Sequence, residues 1–167
     1  GVIYNNIDTK LPITFPANGM ISLNETVADV CWGVQDVGLG IASSLASVVY
    51  PYLGVDDSYE TYAIFNKTVA ALNRQFLDVK FNEMGRGGDQ IQILLSNSGI
   101  DILSLNLLAD FKAQRYLGDS PVGPEISLND IQLVKLSLLW LDGKRRASII
   151  VPSDVPFDRV RISYLSV

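Results

Sequence analysis

Arg74-Gln75-Phe76-Leu77-Asp78-Val79-Lys80-Phe81, then Met84-Gly85-Arg86-Gly87-Gly88-Asp89, then Gln90-Ile91-Gln92-Ile93-Leu94-Leu95-Ser96: this stretch decides the fold class. Phe76, Leu77, Val79 and Phe81 give a largely alternating apolar face, the two-residue period of a half-buried strand. The glycine-rich run behind them reads as a turn, because glycine takes positive φ at little steric cost. Gln90–Ser96 is then a second strand with Ile91 and Ile93 on one side, and Asn97-Ser98-Gly99 breaks it.

Strand, turn and strand recur outward from there. Phe111–Leu117 reads as a strand, and Gly118-Asp119-Ser120-Pro121 turns the chain. Leu133–Leu141 is followed by Asp142-Gly143, a strong short hairpin signal, and then by Arg145–Val151. The closing strand alternates cleanly: Val160, Ile162 and Tyr164 against Arg159, Arg161 and Ser163. Helical patterning is weak. Ile41–Val49 mixes serines with β-branched residues, and Thr68–Arg74 reads as a loop or a single turn. Roughly eight to ten strands at this spacing predict an all-β fold, a β-sandwich or jelly roll. Residues 1–25, with Pro12, Pro16 and Asn18-Gly19, read as an N-terminal arm or edge strand packed on a single β-sandwich domain spanning residues 26–167.

The composition fits one core. The chain has 167 residues, 48% apolar and 19% charged, and a domain of this length buries roughly 70% of its unfolded surface without a staple. It has no histidine, so the commonest general base, metal ligand and pH switch are missing. Cys31 is the single cysteine, which excludes an intrachain disulfide and a four-cysteine zinc site. Beside Trp32 in an apolar stretch, it reads as a buried thiol. A net charge of −5 argues against nucleic acid or an anionic membrane as partner, since phosphate contact needs a cationic field. No run approaches the ~18 apolar residues of a membrane span; the longest candidate, Val37–Leu53, is interrupted by glycines, serines and Pro51.

Three stretches together resemble a module of secreted and cell-surface proteins of Bacteroidetes-type bacteria, related to the galactose-binding-like, or discoidin-like, jelly roll. They are Gly54-Val55-Asp56-Asp57-Ser58-Tyr59-Glu60-Thr61-Tyr62-Ala63, Gly88-Asp89-Gln90-Ile91-Gln92-Ile93-Leu94-Leu95-Ser96, and Pro156-Phe157-Asp158-Arg159-Val160-Arg161-Ile162. The likeness covers roughly residues 30–167 in the expected order. Asp57 departs from it, standing where the family has glycine, and the chain stops at Val167, where the family usually adds a further strand. The resemblance implies a jelly-roll fold and an extracellular or cell-surface setting reached through a signal peptide since removed. It implies no particular ligand, because the fold hosts many functions.

In such jelly rolls the aspartate and threonine of the first stretch often frame a structural calcium, which carries over to Asp56 and Thr61. Calcium takes six to eight oxygen ligands; the other reading of Asp56 is a turn residue accepting backbone N–H groups. Near them lie Tyr50, Tyr52, Tyr59 and Tyr62, with Trp32 upstream. Exposed aromatic faces can stack on sugar rings while polar neighbours bond the hydroxyls; alternatively, alternate members face the core. Asp57, Tyr59, Tyr52 and Trp32 are the candidate ligand-binding residues, and no catalytic residue is assigned. The expected function is a non-catalytic surface or secreted binding or adhesion module, carbohydrate-binding in its sharpest form, with a glycan or surface protein as ligand. The alternative is a spacer or assembly domain packing on neighbouring domains of a parent chain. An acid-pair glycosidase ranks last: it needs two facing carboxylates in a cleft, and nothing distinguishes a pair among the scattered acids.

Overall fold

Leu77, Val79 and Phe81 are buried on one side of a strand that carries Phe76, Asp78 and Lys80 on the other. That two-residue period, repeated from strand to strand, gives each sheet one apolar face, and two such faces close on each other. The computed structural model describes residues 6–15, 27–36, 47–56, 61–66, 73–85, 89–97, 108–141 and 144–166. Among them are eleven strands: β1 (Asn6–Phe15), β2 (Val27–Asp36), β3 (Ser47–Val49), β4 (Ala63–Asn66), β5 (Asn73–Gly85), β6 (Gln90–Asn97), β7 (Phe111–Leu117), β8 (Ser120–Ser127), β9 (Lys135–Leu141), β10 (Lys144–Pro152) and β11 (Phe157–Ser166). A six-stranded sheet runs β3-β4-β1-β6-β10-β9 and a five-stranded sheet β2-β5-β11-β7-β8. Every pairing is antiparallel.

The core is one apolar cluster drawn from both sheets, with Phe65, Ile91, Ile93 and Ile149 from one and Leu77, Val79, Phe111 and Ile162 from the other. Phe65 meets Phe111 edge-on across the interface at 5.7 Å between centroids, and Phe111 stacks on Tyr164 at 4.6 Å. Such pairs add about 0.5–1.5 kcal/mol each beyond area burial. Burial, with a smaller contribution from Asp110, pushes the Tyr164 phenol up to about 12. One charge turns inward: Arg115, 4% exposed, donates from Nη1 to Ser153 Oγ at 3.1 Å and Asp154 Oδ1 at 3.4 Å, holding the loop after β10.

The turns behave as their residues require. Gly118, with φ of 61°, opens the two-residue connection between β7 and β8, the place a type II′ hairpin reserves for glycine. Ser120 and Pro121, expected in that turn, already belong to β8. Leu141 pairs with Lys144 across Asp142-Gly143, as the hairpin signal predicts. Leu133, by contrast, lies before β9. The N-terminal segment corrects an expectation: β1 lies between β4 and β6 and is an interior strand of its sheet, not an edge or an arm. Pro12 is accommodated because the β1–β6 register shifts between Lys10 and Ile13, and the β4 pairing covers only Asn6 to Thr9. A bulge removes the need for the missing N–H.

Candidate binding cleft at the sandwich edge

β2 and β3 are edge strands of the two sheets, and a short 3-10 turn, Pro51–Gly54, follows β3. The turn is entered through Tyr50, which adopts a left-handed conformation with φ 53° and ψ 53°. Pro51 then occupies the first turn position, where its missing N–H costs nothing. The Leu53 N–H donates to the Tyr50 carbonyl at 3.0 Å and the Val55 N–H to the Tyr52 carbonyl at 3.2 Å. A left-handed bulky residue costs on the order of 1–2 kcal/mol, and such strain gathers at binding sites. Tyr50 and Tyr52 stand 61% and 64% exposed.

Beneath Tyr52 is an open cleft of about 480 Å³, lined by Val27, Ala28, Asp29 and Val30 of β2 with Tyr52, Val55 and Asp56. Its volume falls within the roughly 300–1,000 Å³ of small-molecule sites. The Thr61 Oγ1 hydroxyl donates to Asp56 Oδ2 at 2.6 Å, which fixes that carboxylate. Asp29 Oδ1 accepts from the Val30 N–H at 2.9 Å. An exposed aromatic ring beside two oriented carboxylates can stack on a ring and accept hydrogen bonds from its hydroxyls.

Of the residues expected from sequence, Tyr52 and Asp56 line this cleft and Thr61 supports it. Trp32 is 45% exposed, farther along β2 and outside the cleft lining. Asp57 and Tyr59 lie outside the described residues. Asp56 and Thr61 do meet, but as acceptor and donor of one hydrogen bond. Calcium takes six to eight oxygens, so a site built on Asp56 and Thr61 would need further ligands beyond their three side-chain oxygens. These two side chains by themselves do not form a calcium cage.

Sequence reasoning missed the outward face of the five-stranded sheet. Asp78, only 3% exposed, accepts from Arg161 Nε at 2.7 Å and Nη2 at 2.9 Å, and Arg159 Nη1 approaches it to 3.6 Å. The Arg161 guanidinium lies 3.9 Å from the Phe76 ring centre, and that of Arg159 lies 4.4 Å from Tyr116. The hydrogen bond to Asp78, outweighing desolvation, raises the Arg161 pKa above its ordinary value. The signal was present as Phe76, Asp78 and Lys80 alternating with core residues, and as Arg159 and Arg161 on the polar side of β11. Cys31 is a correction: expected to be buried, it is exposed, because it pairs with Asp78 and shares this outward side of an edge strand. Partial desolvation, and then Asp78 and Asp29, raise its thiol pKa, which disfavours the nucleophilic thiolate.

What the fold and site define is a two-sheet antiparallel sandwich with an edge cleft. No protein-family model, curated protein or solved structure matches this chain. Among the described residues no helix is long and apolar enough to cross a membrane.

Proposed function

We propose that this chain is a non-catalytic binding or adhesion module of the jelly-roll, galactose-binding-like type, acting at the cell surface or outside the cell, and that it holds a glycan in the cleft between β2 and the Pro51–Gly54 turn. The observation that carries this reading is the pairing of an outward-held Tyr52 with Asp56, oriented by Thr61, over one cleft. Tyr50 supports it, since its strained backbone serves the display of these rings more than the packing of the core. The chain also passes repeatedly from sheet to sheet, at β1 to β2, β2 to β3, β4 to β5, β5 to β6, β6 to β7, β8 to β9 and β10 to β11. Crossing of this kind is in keeping with a jelly roll.

The test is a glycan screen with the wild-type chain and Tyr52→Ala. A glycan bound by the first and lost by the second is the expected result. A wild-type chain that binds no glycan but forms stable contacts with neighbouring domains would replace this reading with that of a spacer or assembly domain.

A further inference from the structure

The outward face of the five-stranded sheet is cationic on an otherwise acidic chain. Inward-facing Val30, Gln75, Phe111, Ile126, Phe157 and Val160 set the alternation, so Arg74, Lys80, Lys112, Arg159 and Arg161 share the opposite side with Asp29, Asp78, Glu125 and, through the bulge in β11, Asp158. Five cations stand against four acids there, an excess of one positive charge on a chain whose net charge is −5. Three of the acids are already engaged, Asp158 by the Gly118 N–H at 3.0 Å, while Asp29 lies across from Lys80 in the β2–β5 register. Asp78 is clamped by Arg161 and Arg159, and Glu125 lies 3.5 Å from Arg74 and 3.8 Å from Lys112. Lys80 has no ion-pair partner among the described residues, and the Nε groups of Arg74 and Arg159 find no acceptor there. The face has more donors than acceptors.

We propose that this face is a second binding surface, adjoining the cleft at Asp29, for an anionic polysaccharide carrying carboxylate or sulfate groups. The stacks decide between classes of partner. Phe76 and Tyr116 are each covered by a guanidinium, so the face presents fixed cationic edges rather than the bare aromatic and apolar core that protein interfaces favour. Neighbouring strands repeat at about 4.8 Å and same-side residues at about 7 Å along a strand, so positive groups recur at short intervals over the face. An extended, hydroxyl-rich polyanion can meet several of them at once. A guanidinium braced by a ring and a carboxylate also has less side-chain freedom to lose on binding.

The experiment is retention of the full chain on immobilised polygalacturonate, dextran sulfate and uncharged dextran, eluted with salt. Retention on either anionic polymer, none on dextran, and release near physiological ionic strength are expected, because exposed charges are screened over about 8 Å there. Lys80→Glu should weaken retention about tenfold, whereas Lys135→Glu, the same charge change on the exposed side of the other sheet, should leave it unchanged. Unchanged melting temperatures in both variants keep the comparison interpretable. Absence of retention on either polymer, or equal loss in both variants, overturns the proposal. Poly-glutamate held as tightly as polygalacturonate also overturns it, in favour of an acidic protein partner.

Discussion

The outward face of the five-stranded sheet and the cleft at its edge share strand β2, yet they are built in opposite ways. At the centre of the face the polar groups brace one another: Asp78 holds two arginines, each of these covers a ring, and Phe76 lies against Gly33. At the cleft, the Thr61 hydroxyl bonds Asp56, the tyrosines stand in solvent, and Tyr50 carries backbone strain. The face adds to the stability of the sandwich, whereas the turn beside the cleft draws on it. A surface that costs stability and displays aromatic rings is the better candidate for the primary ligand, and a pre-braced charged surface suits a long, weakly held one.

Removing the brace should have the largest effect. Asp78→Ala leaves Arg161 and Arg159 without their shared acceptor and should cost about 3 kcal/mol in urea unfolding, the scale for breaking a buried ion pair. A loss below about 1 kcal/mol would mean that the face is held by packing alone. Next comes Gly33→Ala. The added Cβ would run into the Phe76 ring, so a destabilisation of about 1–2 kcal/mol is expected. A neutral result would show that the ring can leave its place under Arg161 freely.

The cleft should respond with the opposite sign. Tyr50→Gly relieves the left-handed backbone at an exposed position and should stabilise the fold by about 0.5–1 kcal/mol. Destabilisation would instead make Tyr50 a packing residue. The smallest effect belongs to metal removal. With the Asp56 carboxylate already bonded by Thr61, a chelator should move the melting temperature by less than about 1 °C. A fall of several degrees would establish the calcium that the resemblance implies and place the missing ligands in the segment after Asp56.

The strands were legible because burial on one face imposes a period of two, and β5, β6, β7 and β11 show it openly. The position of β1 was not, since Pro12 is an edge signal and the bulge that excuses it depends on the register with β6. Cys31 was misread for a related reason. An apolar neighbourhood in sequence does not tell which side of an edge strand a residue takes, and its partner Asp78 is 47 positions away. Of the cleft, Tyr52 and Asp56 were visible as an aromatic beside an acid, but the floor from Val27 to Val30 comes from the other sheet. The braced face was hidden because its arginines looked like ordinary solvated residues until three strands brought them onto Phe76, Asp78 and Tyr116.

The most direct measurement is calorimetric titration of one neutral glycan, chosen by the screen, into wild type, Tyr52→Ala and Lys80→Glu. If the cleft is the primary site, Tyr52→Ala weakens binding at least about tenfold, a loss of about 1.4 kcal/mol, with its unfolding midpoint unchanged, while Lys80→Glu binds as wild type does. Full affinity in Tyr52→Ala, or an equal loss in Lys80→Glu, would contradict the assignment of the ligand to this cleft.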